Sequence, residues 1–78
     1  MASSCHLTHV DPGQNMARFY RMTMQPTLFG EWSLVREFGR IGSPGRVVAT
    51  NHHTFAQASA ALESLRAAKE RKGYTAEC

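Results

Sequence analysis

The sequence predicts an α+β fold, strands first and one long C-terminal helix packed on a sheet. Three observations lead there. Tyr20, Met22 and Met24 alternate with Phe19, Arg21, Thr23 and Gln25, the period-two pattern of a strand with one buried face. Two further strand-like stretches follow, WSLVREF from Trp32 and RVVATNHH from Arg46, joined by a glycine-rich connection. Last, Phe55, Ala58, Ala61, Leu62, Leu65 and Ala68 recur at three- and four-residue spacing, one apolar stripe on a helix.

Each element has local signals. LTHV (Leu7–Val10) is a short extended segment, closed by the turn sequence Asp11-Pro12-Gly13. The strand carrying Tyr20 ends at Pro26, and TLFGE forms a turn around Gly30. Val35 falls out of phase with Trp32 and Leu34, so a β-bulge is expected in the next strand. Regular structure should then break over GRIGSPG, with Gly39, Gly42 and Gly45 supplying backbone angles closed to other residues. Thr54 is a helix N-cap with Gln57 three positions on, a capping box. Alanine and leucine favour the helix. Lys69, Arg71 and Lys72 suit the negative end of its dipole, and Gly73 suits the left-handed position just past the end.

At 78 residues this is one small domain, expected over 7–74, with 1–6 and 75–78 loose. No stretch approaches the length of a membrane span. MASSCHLTHVDPG has neither a basic start nor an apolar run, so no signal peptide is expected and the expected location is cytoplasmic. In that compartment Cys5 and Cys78 are expected to be free thiols, with pairing of the two the alternative. The net charge of +3 permits an anionic partner without requiring one. From Arg18 to Gly45 the basic residues Arg18, Arg21, Arg36 and Arg40 face only Glu31 and Glu37; near the C-terminus Glu63 and Glu70 dilute a second basic cluster.

Catalysis and metal binding find no support. His52 and His53 are adjacent on a strand and point to opposite faces; His6 and His9 could approach one another but have no further ligand. The six scattered acids form no argued pair, and no Ser/His/Asp set is apparent. No cofactor is expected.

The order of features resembles a known family. Arg18-Phe19-Tyr20 enters a strand, and LFG follows at Leu28–Gly30. A Trp-containing strand then leads to Phe38-Gly39-Arg40-Ile41-Gly42, and the helix ends in Arg71-Lys72-Gly73-Tyr74. Over about Leu7 to Tyr74 this resembles the WGR domain, named for a Trp-Gly-Arg motif, and in particular the stand-alone bacterial type. The chain departs from the family where the motif tryptophan is Phe38; Trp32, six residues upstream, does not replace it. The resemblance implies a twisted antiparallel sheet crossed by one helix. In DNA-dependent poly(ADP-ribose) polymerases the WGR domain contacts DNA at a break and relays the event to neighbouring domains. There the motif tryptophan packs near the strand end, and the motif arginine joins DNA and domain contacts.

These readings converge on a non-catalytic nucleic-acid-binding module that prefers DNA ends or breaks. Phe38 is either a core plug or an exposed stacking platform. Arg40 is the phosphate or partner contact, with Gly39 shaping the loop, and Arg18, Arg21, Arg36 and Arg46 supply further backbone contacts without sequence readout. The alternative is a protein adaptor that docks through the Phe-Gly-Arg loop.

Overall fold

The computed structural model describes residues 3–78. Five strands and one long helix occur in the order β1 (Ser4–Asp11), a 3₁₀ turn (Pro12–Gln14), β2 (Met16–Pro26), β3 (Trp32–Arg40), β4 (Arg46–His52), α1 (Phe55–Arg71) and β5 (Thr75–Glu77). The strands form one antiparallel sheet in the order β4-β3-β2-β1-β5, and α1 lies across one face. The α+β expectation holds.

Alternation decides which side chains meet the helix. Tyr20 pairs with Phe38, Met22 with Arg36 and Met24 with Leu34 across β2–β3; Leu7 pairs with Tyr20 and Cys5 with Met22 across β1–β2. Cys5, Leu7, Tyr20, Met22, Met24 and Leu34 are buried on that face and meet Ala58 and Leu62 of α1. The Trp32 ring meets Phe55 edge-on, with centroids 4.9 Å apart. The opposite face, with Phe19, Arg21, Val35 and Glu37, carries no layer among the described residues.

The helix begins and ends where its sequence signals lie. The Gln57 amide donates to Thr54 Oγ1 at 3.1 Å, and Gln57 Oε1 accepts from the His53 amide at 3.1 Å. The reciprocal bond of the box therefore falls one residue before the cap. Gly73 follows the last turn with φ +103°, the left-handed conformation expected of it.

Several expectations are corrected. β3 holds one continuous register against β2 and β4, with no bulge. Val35 is out of phase because it sits on the open face, where it is half-buried. Gly39 and Arg40 belong to β3, and regular structure breaks only from Ile41. Of the three glycines near the motif, only Gly42 has positive φ. The other two are there for space: a Cβ on Gly45 would lie 2.8 Å from Phe19 Cζ, and one on Gly39 would lie 3.3 Å from Gly45 Cα. The 41–45 loop folds down onto β3 and Phe19, which spacing alone does not reveal.

Of the segments expected to be loose, residues 1 and 2 lie outside those described, and parts of both segments are strand. β1 begins at Ser4, and Thr75–Glu77 form β5, pairing Leu7 with Ala76. Cys5 and Cys78 form a disulfide rather than two free thiols, with Cα atoms 4.4 Å apart. The physical reason is β5 itself. By returning antiparallel to β1, it delivers residue 78 beside residue 5, a proximity that a sequence separation of 73 conceals.

Candidate nucleic-acid interface

At one end of the helix-covered face, the ends of β2 and β3 meet the last turn of α1. Arg18 and Arg40 are paired across the β2–β3 ladder on that face. Two like charges directly opposite each other cost stability unless something between them is anionic. Lys69 reaches in from the helix, its Nζ 4.6 Å from the centre of the Tyr20 ring and 5.4 Å from that of Tyr74. Together with Phe38, these residues line a recess of about 420 Å³. A second recess of about 240 Å³ adjoins it, sharing Arg18, Lys69 and Tyr74 and adding Lys72 and His9. No carboxylate lines either one among the described residues.

Among the described residues no carboxylate pairs with these cations; Arg40 Nη1 donates only to the Asn15 carbonyl, at 3.5 Å. Burial, then Lys72, Arg36 and Arg18, hold the Lys69 ammonium below its ordinary pKa of 10.5. Arg36 lies further along the same face of β3. Its Nη1 donates to the Tyr20 hydroxyl at 3.3 Å, while its Nε is buried without a hydrogen-bond partner. Two cations elsewhere are matched. Arg66 is held by Glu63 at 2.7 Å and by Glu70, and on the open face Arg21 meets Glu37 at 3.1 Å. Glu63 and Glu70 thus neutralise Arg66 on the helix but leave Lys69 and Lys72 unmatched beside the recess.

The sequence-predicted residues divide accordingly. Phe38, Gly39, Arg40 and Arg18 line the larger recess. Arg36 stands behind it, bonded to Tyr20. Arg46 is opposite Phe38 in the β3–β4 ladder and exposed, at the margin of the same face. Arg21 is separated from the group: it lies on the open face, over the Phe19 ring at 5.7 Å and ion-paired to Glu37. Phe38 proves to be neither plug nor free platform alone. It is half-buried, one ring face stacked on Tyr20 with centroids 5.3 Å apart and planes 16° off parallel, and it lines the recess. The histidines do not gather, since His6 and His9 fall on opposite faces of β1, and no group of three potential metal ligands occurs among the described residues.

Sequence reasoning passed over Lys69 and Tyr74. The signal for Lys69 was present: it lies four residues after Leu65 and seven after Leu62, a charge on the apolar stripe. The model of the WGR domain family matches residues 3–78, nearly the whole chain. The chain belongs to the WGR domain family. This is a family of nucleic-acid-binding modules without catalytic machinery of their own, and this WGR domain is a small α+β unit. It is 38% identical over 72 residues to an uncharacterized protein, y4dW, of Sinorhizobium fredii (strain NBRC 101917 / NGR234), covering 88% of this chain and 34% of the relative. The chain thus spans about a third of that relative's length. No solved structure matches it. No helix among the described residues is long and apolar enough to cross a membrane.

Proposed function

We propose that this WGR domain is a non-catalytic module that grips DNA at ends or breaks, through backbone phosphates and aromatic stacking. One observation carries the reading: Arg18, Arg40, Lys69 and Lys72 converge on adjoining recesses that hold aromatic rings and no carboxylate. Phosphate oxygens are the partner such a group lacks. The cations read no base edges, so binding is indifferent to sequence and falls with salt. Phe38 presents a ring already braced on one face by Tyr20, and a terminal sugar or base can pack against the part of it that lines the recess. Phenylalanine has less area than tryptophan and no ring N–H, so the grip on an end is weaker than with the motif residue.

The test is fluorescence anisotropy with blunt, nicked and circular duplexes at two salt concentrations, using the protein and its Arg40→Ala and Phe38→Ala variants. The proposal expects preference for ends, a salt slope about 0.9 shallower in Arg40→Ala for one lost phosphate contact, and loss of the end preference in Phe38→Ala. Binding that ignores both ends and Phe38 would leave only a general basic surface.

A second reading, as a protein adaptor, rests on a different place from the Phe-Gly-Arg motif. The β2–β3 turn displays Leu28 at 99% and Phe29 at 88% exposure.

A further inference from the structure

β5 is three residues long, lies at the edge of the sheet and is bonded to β1 alone. Only Ala76 of the three is half-buried. So short an edge strand stands at the low end of local stability. Yet the residue before it is Tyr74, whose ring sits 5.2 Å from that of His9 and 5.4 Å from Lys69 Nζ, in the wall of both recesses. Besides the ladder to β1 and the Tyr74 amide, which donates to the Lys69 carbonyl at 3.1 Å, two anchors hold this segment. At the near end Gly73 closes the helix, its amide donating to the Glu70 carbonyl at 3.0 Å. At the far end the disulfide ties exposed Cys78 to Cys5, which is buried in β1.

We propose that the Cys5–Cys78 disulfide is a redox-operated strap, holding β5 on β1 and thereby keeping Tyr74 in the recess wall. A small or protein dithiol opens it. One thiolate attacks the Cys78 sulfur, forming a mixed disulfide and expelling the Cys5 thiolate, which takes up a proton. The second thiol of the reductant then displaces Cys78, leaving two cysteine thiols and an oxidised dithiol. With the far anchor gone, β5 frays, Tyr74 loosens, and the Lys69 ammonium loses one of the two rings beside it. The oxidised domain has a closed recess wall on the β1 side, and the reduced domain has an open one.

The experiment uses the whole chain, oxidised or treated with dithiothreitol, with thiol alkylation and mass measurement to report the state of the bond. Hydrogen exchange follows the 74–77 segment, and N-hydroxysuccinimide acetate reports the reactivity of Lys69. On reduction, exchange in 74–77 should quicken roughly tenfold or more, while β2 and β3, less protected in the destabilised domain, remain its slowest-exchanging strands. Lys69 acylation should rise severalfold against Lys72, and Cys78→Ser, at an exposed position, should reproduce the reduced state without reductant. Equal exchange and equal acylation after verified reduction would overturn the proposal. So would thiols that alkylate fully in the air-oxidised native protein. Neither readout involves nucleic acid, so the result is independent of the function proposed above.

Discussion

Gly45 shows how one atom sets the shape of the motif loop. Its Cα rests against Gly39 and Phe19, and an added Cβ would come within 2.9 Å of Glu37 Cγ and 3.1 Å of the Phe38 carbonyl oxygen as well as crowding Phe19. Gly45→Ala therefore forces the loop away from β3. The expected cost is about 1–3 kcal/mol, the range for overpacking, read as a lower urea midpoint with unchanged slope. Lys69 offers a second residue-scale prediction. Its pKa lies below 10.5 in the folded chain, burial being the main cause, and returns to the ordinary value on unfolding. The unfolded chain thus holds more protons between those two values. Stability rises with pH through that interval, and the full penalty applies below it. A phosphate in the recess favours the ammonium and raises the pKa, so binding in that interval takes up a proton. An NMR titration of the Lys69 Cε resonance, with and without a short duplex, checks the direction. An unmoved Lys69 in a saturated complex would remove it from the interface.

At the scale of elements, the strand carrying Tyr20 and the helix beginning after Thr54 were legible because each carries a full period and its own stop signals. β3 was harder. It has the helix on one face and solvent on the other, so half-buried Val35 disturbs the alternation without any bulge in the backbone. That Phe38, Gly39, Arg40 and Arg18 share one recess was legible because the motif is contiguous and its pairing partner shares a face. Lys69 and Tyr74 join them only through the crossing of α1 over the sheet, which no local pattern encodes. Arg21 is different: the alternation itself sets it on the face opposite Tyr20, away from the recess. The β2–β3 turn makes the element-scale prediction. Thr27 Oγ1 accepts from the Phe29 and Glu31 amides, and the Thr27 amide donates to the Glu31 carbonyl at 2.8 Å, so Leu28 and Phe29 are held out on a firm turn. Changing both to serine should alter stability by no more than about 0.5 kcal/mol and leave duplex affinity intact. A loss of duplex affinity would place this tip in the nucleic-acid contact and remove the support for an adaptor surface; melting curves and anisotropy decide.

Across the whole molecule, a single helix covers one side of a five-stranded sheet, and the core is small. A cross-link that spans 73 positions therefore carries a large share of the stability, chiefly by restricting the unfolded chain. Removing it by the paired substitution Cys5→Ser and Cys78→Ser should cost about 2–5 kcal/mol, the usual range for a small domain, seen as a fall in the urea midpoint. A midpoint unchanged by the double substitution would mean that the sheet and helix alone hold the fold. The sequence offered no purchase on this because a compartment argument, and not a contact, set the expectation for the two thiols. The disulfide depends on where β5 runs, and three residues are too few for a period to show.

The strand order also has a history in time. β2, β3 and β4 are joined by short turns and lie beside one another, so their contacts close small loops and form early. The β1–β5 pairing joins positions such as His6 and Glu77, and β5 is the last of these elements to leave the ribosome. Until then the edge of β1 stands open to any other strand it meets, and the interval between synthesis of β1 and arrival of β5 is when a nascent chain is most exposed to pairing with the wrong neighbour.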